Sequence, residues 1–278
     1  MSKPFVKWAG GKYRLSDKLI PLIPSSFDPS KNTYIEPMVG SGGFFFKYAP
    51  KQAYLSDINQ NLITTYNIIK NDVNTLISSL KEHQDLHNKE YFYDQRKKFN
   101  ELITNNGNDG EIASLFIYLN RTCFNGLYRE NSKGEFNVPI GSYKNPTICH
   151  EENLLSVSKI LQSVEIHCHG YEQSLNMINE GDFVYIDPPY IPLDPLSFTK
   201  YSKDDFGKKQ HIQLSDFCDA IHKKDAFYML SNADTELTDK IYLQDSRYKE
   251  NFLVSRTIAS NANKRNKAKE VIITNYQI

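Results

Sequence analysis

Apolar and polar positions follow two rhythms along the chain. Short apolar runs bounded by Gly, Pro, Asn or Asp lie at 34–35, 52–59, 164–168, 182–187 and 226–232, and such runs predict buried strands. Between them apolar residues recur at three- and four-residue spacing, which predicts helices. Leu62, Ile63, Tyr66, Ile69, Leu76, Ile77 and Leu80 mark one such face within 60–84; others cover 90–103, 111–121, 152–162 and about 207–223. Two late runs, 251–258 and 270–276, predict a final antiparallel pair. Residues 105–110 and 194–206 are polar and predict loops. β-formers on both sides of Asn131-Ser132-Lys133-Gly134 predict a hairpin over 127–139. The strand–helix rhythm thus occupies 1–59 and 147–278, and the block 60–146 reads as an insertion of helices and one hairpin.

Two stretches interrupt these rhythms with chemistry. In "TYIEPMVGSGGFFFKYA" (33–49) a strand breaks into a turn carrying Gly40, Gly42 and Gly43, then an apolar run opens a helix; "QAYLSDIN" (52–59) follows as a strand ending in Asp57. Strand, glycine turn, helix, strand and acid make half of a Rossmann-like βαβ unit, with the acid placed to hold a ribose. The expected class is α/β with a mostly parallel sheet, a final antiparallel strand and an inserted, mainly helical domain. The second stretch is "GDFVYIDPPYIPL" (181–193), a strand that delivers Asp187-Pro188-Pro189-Tyr190 to its carboxyl end. Two prolines stop the ladder and stiffen the chain. In open α/β sheets that end is where ligands bind. A carboxylate and the Pro188 carbonyl can hold an amine between them, and Tyr190 offers a face for a base.

Composition changes this picture little. The 278 residues are 40% hydrophobic and 24% charged, an ordinary globular balance. Lys and Arg (33) equal Asp and Glu (33), so the overall basic charge common in nucleic-acid binders is absent and any basic patch must be local. Candidates are Lys264, Arg265, Lys267 and Lys269 in a polar stretch, and more weakly Arg96-Lys97-Lys98; a solvated face is the commoner fate of such runs. Four scattered cysteines without a CxxC pair, and no secretory leader, suggest a reducing cytoplasm. His167 and His169 share a strand face but lack further ligands at zinc spacing, so no metal site is expected. No apolar run reaches membrane-spanning length, so no membrane partner is expected.

"FVKWAGGK" (5–12), "EPMVGSG" (36–42), "LNRTCFNGLYRENSKGEFNVPIGSYKNP" (119–146) and "DPPY" (187–190) together resemble the Dam-type DNA adenine-N6 methyltransferases of the alpha group, which act on GATC. The resemblance spans nearly the whole chain in the family's order. It implies a class I methyltransferase fold, with 1–59 and 147–278 binding S-adenosyl-L-methionine, 60–146 recognising the target, and S-adenosyl-L-homocysteine as product. It further implies that the protein is a monomer acting on double-stranded DNA in the cytoplasm of a bacterial or phage-infected cell.

Carried over by motif position, Trp8 and Lys12 line the cofactor pocket. Gly40 and Gly42 let the backbone approach the methionine part, Asp57 binds the ribose hydroxyls, and Asp187 touches both cofactor and target amine. Pro188, Pro189 and Tyr190 complete the catalytic corner. Tyr171 stacks on the cofactor's adenine or, equally well, fills the core. The duplex hides an adenine amine, so the base must be flipped out. Phe124, where many relatives carry Tyr, matches the aromatic that wedges into the stack. Arg129 matches the residue that grips a guanine edge, although a surface ion pair with Glu130 or Glu135 is its alternative. Asn125, Leu127 and Pro139 match contacts to the remaining bases, and Lys7 matches a lysine reaching the DNA from the catalytic side. Beside a third possibility, methylation of RNA or of a cytosine amine through the same site, against which the hairpin match argues, two rivals stay open on the residues alone. A nicotinamide-dependent oxidoreductase would need GxGxxG, which "VGSGGFF" breaks at the last glycine; a non-catalytic DNA-binding module would not need the intact DPPY.

Overall fold

The computed structural model describes residues 2–192, 206–243, 247–255 and 267–278. Seven strands form one sheet: β1 (Tyr34–Glu36), β2 (Ala53–Asp57), β3 (Val164–Cys168), β4 (Phe183–Ile186), β5 (Phe227–Ala233), β6 (Tyr248–Ser255) and β7 (Lys267–Thr274). Their spatial order is β3-β2-β1-β4-β5-β7-β6. β1 pairs in parallel with β2 and β4, and β4 in parallel with β5; β7 runs antiparallel between β5 and β6. The mostly parallel sheet with an antiparallel end is the expected architecture. Every side chain of β4 is fully buried, as a central strand covered on both faces requires, and this explains its continuous apolar run.

The chain divides into two compact units. The first comprises Met1–Ser16, Val39–Ala49 and Asp57–His169, the second Asp17–Met38, Pro50–Ser56 and Gly170–Ile278. Beyond α1 (Ser16–Leu19), the first unit holds α2 (Gly43–Tyr48), α3 (Gln60–Asn71), α4 (Val73–Leu86), α5 (Lys89–Thr104), α6 (Asp109–Thr122) and α7 (Glu151–Leu161). The stretch read as helical over 60–84 is two helices, because the backbone leaves helical geometry at Asp72. Asn59, Asn88 and Asn108 cap α3, α5 and α6, each side chain accepting a backbone N–H three residues on. In α6 every residue from Ile112 to Asn120 is buried, so it forms the centre of this unit.

The second unit packs α8 (Lys208–His222) and α9 (Glu236–Tyr242) with its strands. One apolar cluster includes Ile35, Val184, Ile186, Leu214, Phe217, Tyr228, Val271 and Ile273. Within this unit the chain order reverses between β1 and β4, whose carboxyl ends lie side by side: Tyr34 pairs with Phe183 and Ile35 with Val184. That switch point is the ligand position of open α/β sheets. The hairpin expected over 127–139 is shorter than its β-formers suggested, a single bridge from Glu130 to Phe136 with Asn131–Gly134 as its turn. The loop expected at 194–206 lies outside the described residues except Phe206. So do Lys264 and Arg265 of the basic stretch. Lys267 and Lys269 belong to β7 rather than to a loop, since the ladder to β6 extends to the Lys267–Ser255 pair.

Candidate functional site

The residues singled out by the sequence fall into two groups, one in each unit. In the first, the glycine turn is held by its own acid. Gly40 adopts φ +48° and Gly42 φ +66°, left-handed backbone that favours glycine. The Gly40 N–H donates to Asp57 Oδ2 (2.9 Å), the Asn59 N–H to Oδ1 (2.9 Å), and the Tyr66 hydroxyl to the Gly40 carbonyl (3.0 Å). Burial pushes the Asp57 carboxyl above its ordinary range, and the N–H donors of Asn59, Gly40 and Ile58 pull it back. A Cβ at Gly40 would come within 2.8 Å of the Trp8 indole nitrogen. Trp8 stacks on Tyr128 (5.9 Å, 20°) and leans on Phe116. Lys12 is buried (5% exposed), and its ammonium donates to the Gly10 carbonyl at 2.6 Å. Trp8, Lys12, Gly40, Gly42 and Asp57 thus all lie in one unit, with Gly40 set between the Trp8 indole and the Asp57 carboxylate it bonds.

One residue there escaped the sequence reading. Ile58, directly after Asp57, is 81% exposed, an apolar side chain displayed beside the carboxylate. A strand that ends on an acid and then an aliphatic residue was the available signal.

The six proposed DNA contacts lie in the same unit, and all but Arg129 gather around one turn. Phe124–Gly126 is a single 3-10 turn after α6, with Asn125 at φ +55° and Phe124 48% exposed. The Phe124 N–H donates to the Pro139 carbonyl (2.8 Å), which closes the 127–139 segment on itself. The Lys7 stem packs so closely on Gly126 that a Cβ there would meet it at 2.4 Å, and its ammonium sits 3.9 Å over the Tyr143 ring. Asn120, buried at the end of α6, binds the Lys7 backbone in both directions (2.8 Å each) and the Gly126 carbonyl (3.0 Å). A polar residue closing the apolar run "ASLFIYL" was its only sequence signal. Arg129 is exposed, and its Nε donates to Asn137 Oδ1 at 2.7 Å. Glu130 instead accepts the Tyr128 hydroxyl, and Glu135 the Asn131 amide. Arg96 of the weaker basic run donates to the Val138 carbonyl (3.3 Å) and lies over the Tyr93 ring.

In the second unit, Asp187-Pro188-Pro189-Tyr190 leaves the carboxyl end of β4 beside β1. Asp187 and Tyr190 are half-buried, Pro188 buried and Pro189 exposed. Asn232, at the end of β5, accepts the Ile191 N–H at 3.0 Å, and the Tyr190 hydroxyl donates to Glu270 of β7 at 3.0 Å. Neither Asn232 nor Glu270 was legible as a site residue, because each partners the corner only through the sheet. Tyr171 is buried against Phe217 (5.1 Å), within the core of this unit. Among the described residues no helix is long and apolar enough to cross a membrane.

Comparison with known proteins agrees with this arrangement. Residues 8–256 match the family described as D12 class N6 adenine-specific DNA methyltransferase. The chain is 37% identical to the type II methyltransferase M1.LlaDCHI of Lactococcus lactis subsp. cremoris, covering 99% of this chain and 95% of that protein. It is 40% identical to the type II methyltransferase M.MjaIII of Methanocaldococcus jannaschii (92% and 91% covered) and 38% identical to the DNA adenine methylase of Haemophilus influenzae (97% and 92%). A family match over most of the chain, with relatives of this identity aligned nearly end to end, means that the protein belongs to the D12 class of N6-adenine DNA methyltransferases.

Proposed function

We propose that this DNA adenine methyltransferase acts on adenine in double-stranded GATC, as an alpha-group enzyme that flips the base and transfers the methyl directly. The observation that carries the reading is the acidic Pro-Pro corner at the carboxyl end of β4, at the point where the strand order reverses. Asp187 accepts one hydrogen of the adenine amine and the Pro188 carbonyl the other; this holds the nitrogen lone pair toward the methyl donor. Pro189 keeps the carbonyl in place, and Tyr190 stacks on the extruded base.

The glycine turn suits S-adenosyl-L-methionine. Any Cβ on Gly40 would collide with the Trp8 indole, Asp57 retains lone pairs for a diol beyond the N–H groups it already accepts, and Ile58 offers an apolar surface next to it. When bound, that molecule would supply an electrophilic sulfonium methyl for direct displacement by the amine, with S-adenosyl-L-homocysteine as leaving group and the amine's surplus proton passing to solvent. Lys12 and Trp8 complete the pocket.

Residues 60–146 serve target recognition, with the remainder serving cofactor binding and chemistry. Phe124 wedges into the stack. Arg129, its Nε already engaged by Asn137, presents its two terminal nitrogens to a guanine edge. Lys7, Asn125, Leu127 and Pro139 contact the other bases. We expect a monomer in the cytoplasm. The relatives' names include both type II methyltransferases and DNA adenine methylases, and GATC methylation fits either a restriction partner or a solitary enzyme.

The test is a plasmid from a methylation-deficient host, incubated with the protein and S-adenosyl-L-methionine, then cut by GATC endonucleases of different methyl sensitivity. Protection limited to the enzyme blocked by adenine methylation supports the reading; methylation that leaves every GATC site cleavable removes the assigned specificity. Asp187→Ala should abolish transfer while DNA binding remains, and full activity in that variant would rule out the mechanism.

A further inference from the structure

The Tyr190 hydroxyl donates to Glu270 Oε2 at 3.0 Å. Glu270 sits on β7, where it pairs with Ala233 of β5 on one side and Phe252 of β6 on the other. Its anchor is therefore an interior strand of the sheet, flanked on the chain by the fully buried Val271, Ile272 and Ile273. Glu270 itself is half-buried, and the phenol of Tyr190 donates to its carboxylate from across the sheet. Tyr190 follows two prolines, so its backbone is stiff while its two side-chain torsions remain to be fixed. One hydrogen bond at the far end of the ring restricts both.

We propose that Glu270 is a positioning residue for methyl transfer, its carboxylate holding the Tyr190 phenol so that the ring is set before the target base arrives. The inference rests on the reading of Tyr190 as the surface on which the base stacks. Burial, Asp187 and Glu270 together keep the phenol protonated far above neutral pH, so Tyr190 is the donor and Glu270 the acceptor. What the reaction gains is a stacking face already oriented, rather than one ordered at the moment of binding.

The test is a cycle of Glu270→Ala, Tyr190→Phe and the double variant, with Glu270→Gln as the conservative replacement whose amide oxygen still accepts the bond. Single-turnover transfer of labelled methyl from S-adenosyl-L-methionine to unmethylated genomic DNA is followed, with cofactor affinity measured by calorimetry. Glu270→Ala and Tyr190→Phe should each slow transfer about tenfold, the double variant no further than either, and Glu270→Gln less than about threefold, all with cofactor affinity unchanged. Single effects that multiply to about a hundredfold in the double variant would overturn the proposal, as non-additivity is the mark of one shared interaction. So would a Glu270→Gln enzyme as slow as Glu270→Ala, or parental rates for Tyr190→Phe. If Glu270→Ala does not fold, the Tyr190→Phe and Glu270→Gln rates decide the matter between them. Asp187→Ala is run alongside. Activity there sinks the reading of the whole corner, whereas an inactive Asp187→Ala beside a parental Tyr190→Phe sinks only the role of Glu270.

Discussion

Gly40 shows how much one residue decides. Its left-handed backbone, its N–H to Asp57 and its carbonyl from Tyr66 fix the turn, and the missing Cβ leaves the face that Trp8 covers. Gly40→Ala strains the backbone and pushes a methyl to 2.8 Å from the indole. We expect it to weaken S-adenosyl-L-methionine binding at least about tenfold, measured by calorimetry, alongside a loss of ~1–2 kcal/mol in unfolding free energy. An unchanged cofactor affinity would detach this turn from the cofactor site. The motif in the sequence located Gly40, Gly42 and Asp57. It did not disclose that Asp57 already serves as a clamp for the turn, because that depends on the Gly40 and Asn59 N–H groups converging on one carboxylate.

At the scale of elements, the 3-10 turn Phe124–Gly126 and the narrow 127–139 segment act together. The Phe124 N–H to the Pro139 carbonyl closes the segment, and Asn120 holds Lys7 against Gly126. Arg129→Ala is expected to cost about 1–3 kcal/mol of discrimination against a substituted guanine, read as a fall in the ratio of methylation rates on matched and mismatched duplexes. Binding to unrelated DNA should change little, and an equal loss on every sequence would make Arg129 a phosphate contact instead. β-formers on both sides of Asn131–Gly134 foretold a chain reversal. They could not give its length, because ladder extent depends on what lies beside each strand; here the bridge is held by the Asn131 N–H to Glu135 and the Asn137 N–H to Arg129, while the Phe136 N–H and carbonyl face the other way and bond Asn100. The split of 60–84 into α3 and α4 was hidden likewise, since the apolar spacing continues across Asp72 while the backbone does not.

Over the whole molecule, two histidines, one in each unit, fold neutral and so cost stability in acid. His83 of the first unit bonds the Tyr91 hydroxyl (2.8 Å), and burial with Lys98 nearby lowers its pKa to about 4. His211 of the second unit bonds the Tyr242 hydroxyl (2.8 Å), and burial lowers it likewise to about 4. Each takes up a proton near 6.5 when unfolded. Between those values the unfolded chain binds more protons at these two sites, so their contribution to stability falls as pH drops from about 6.5 toward 4, with a slope of at most about 1.4 kcal/mol per pH unit for each histidine. Urea midpoints at pH 7.5 and 5 should show this loss. His83→Gln with His211→Gln should flatten it, and an unaltered pH dependence in that pair would assign the loss to other groups.

Period and punctuation in the sequence determined the strands, most helices, the glycine turn and the acidic corner, because burial and backbone chemistry act locally and leave a local trace. Tertiary structure alone decided which strands are neighbours and hence which distant side chains support that corner. Asn232 and Glu270 meet residues 190 and 191 only because β4, β5 and β7 lie in sequence across the sheet. A hydrogen bond between residues 80 positions apart is set by strand order, and no period along the chain encodes it.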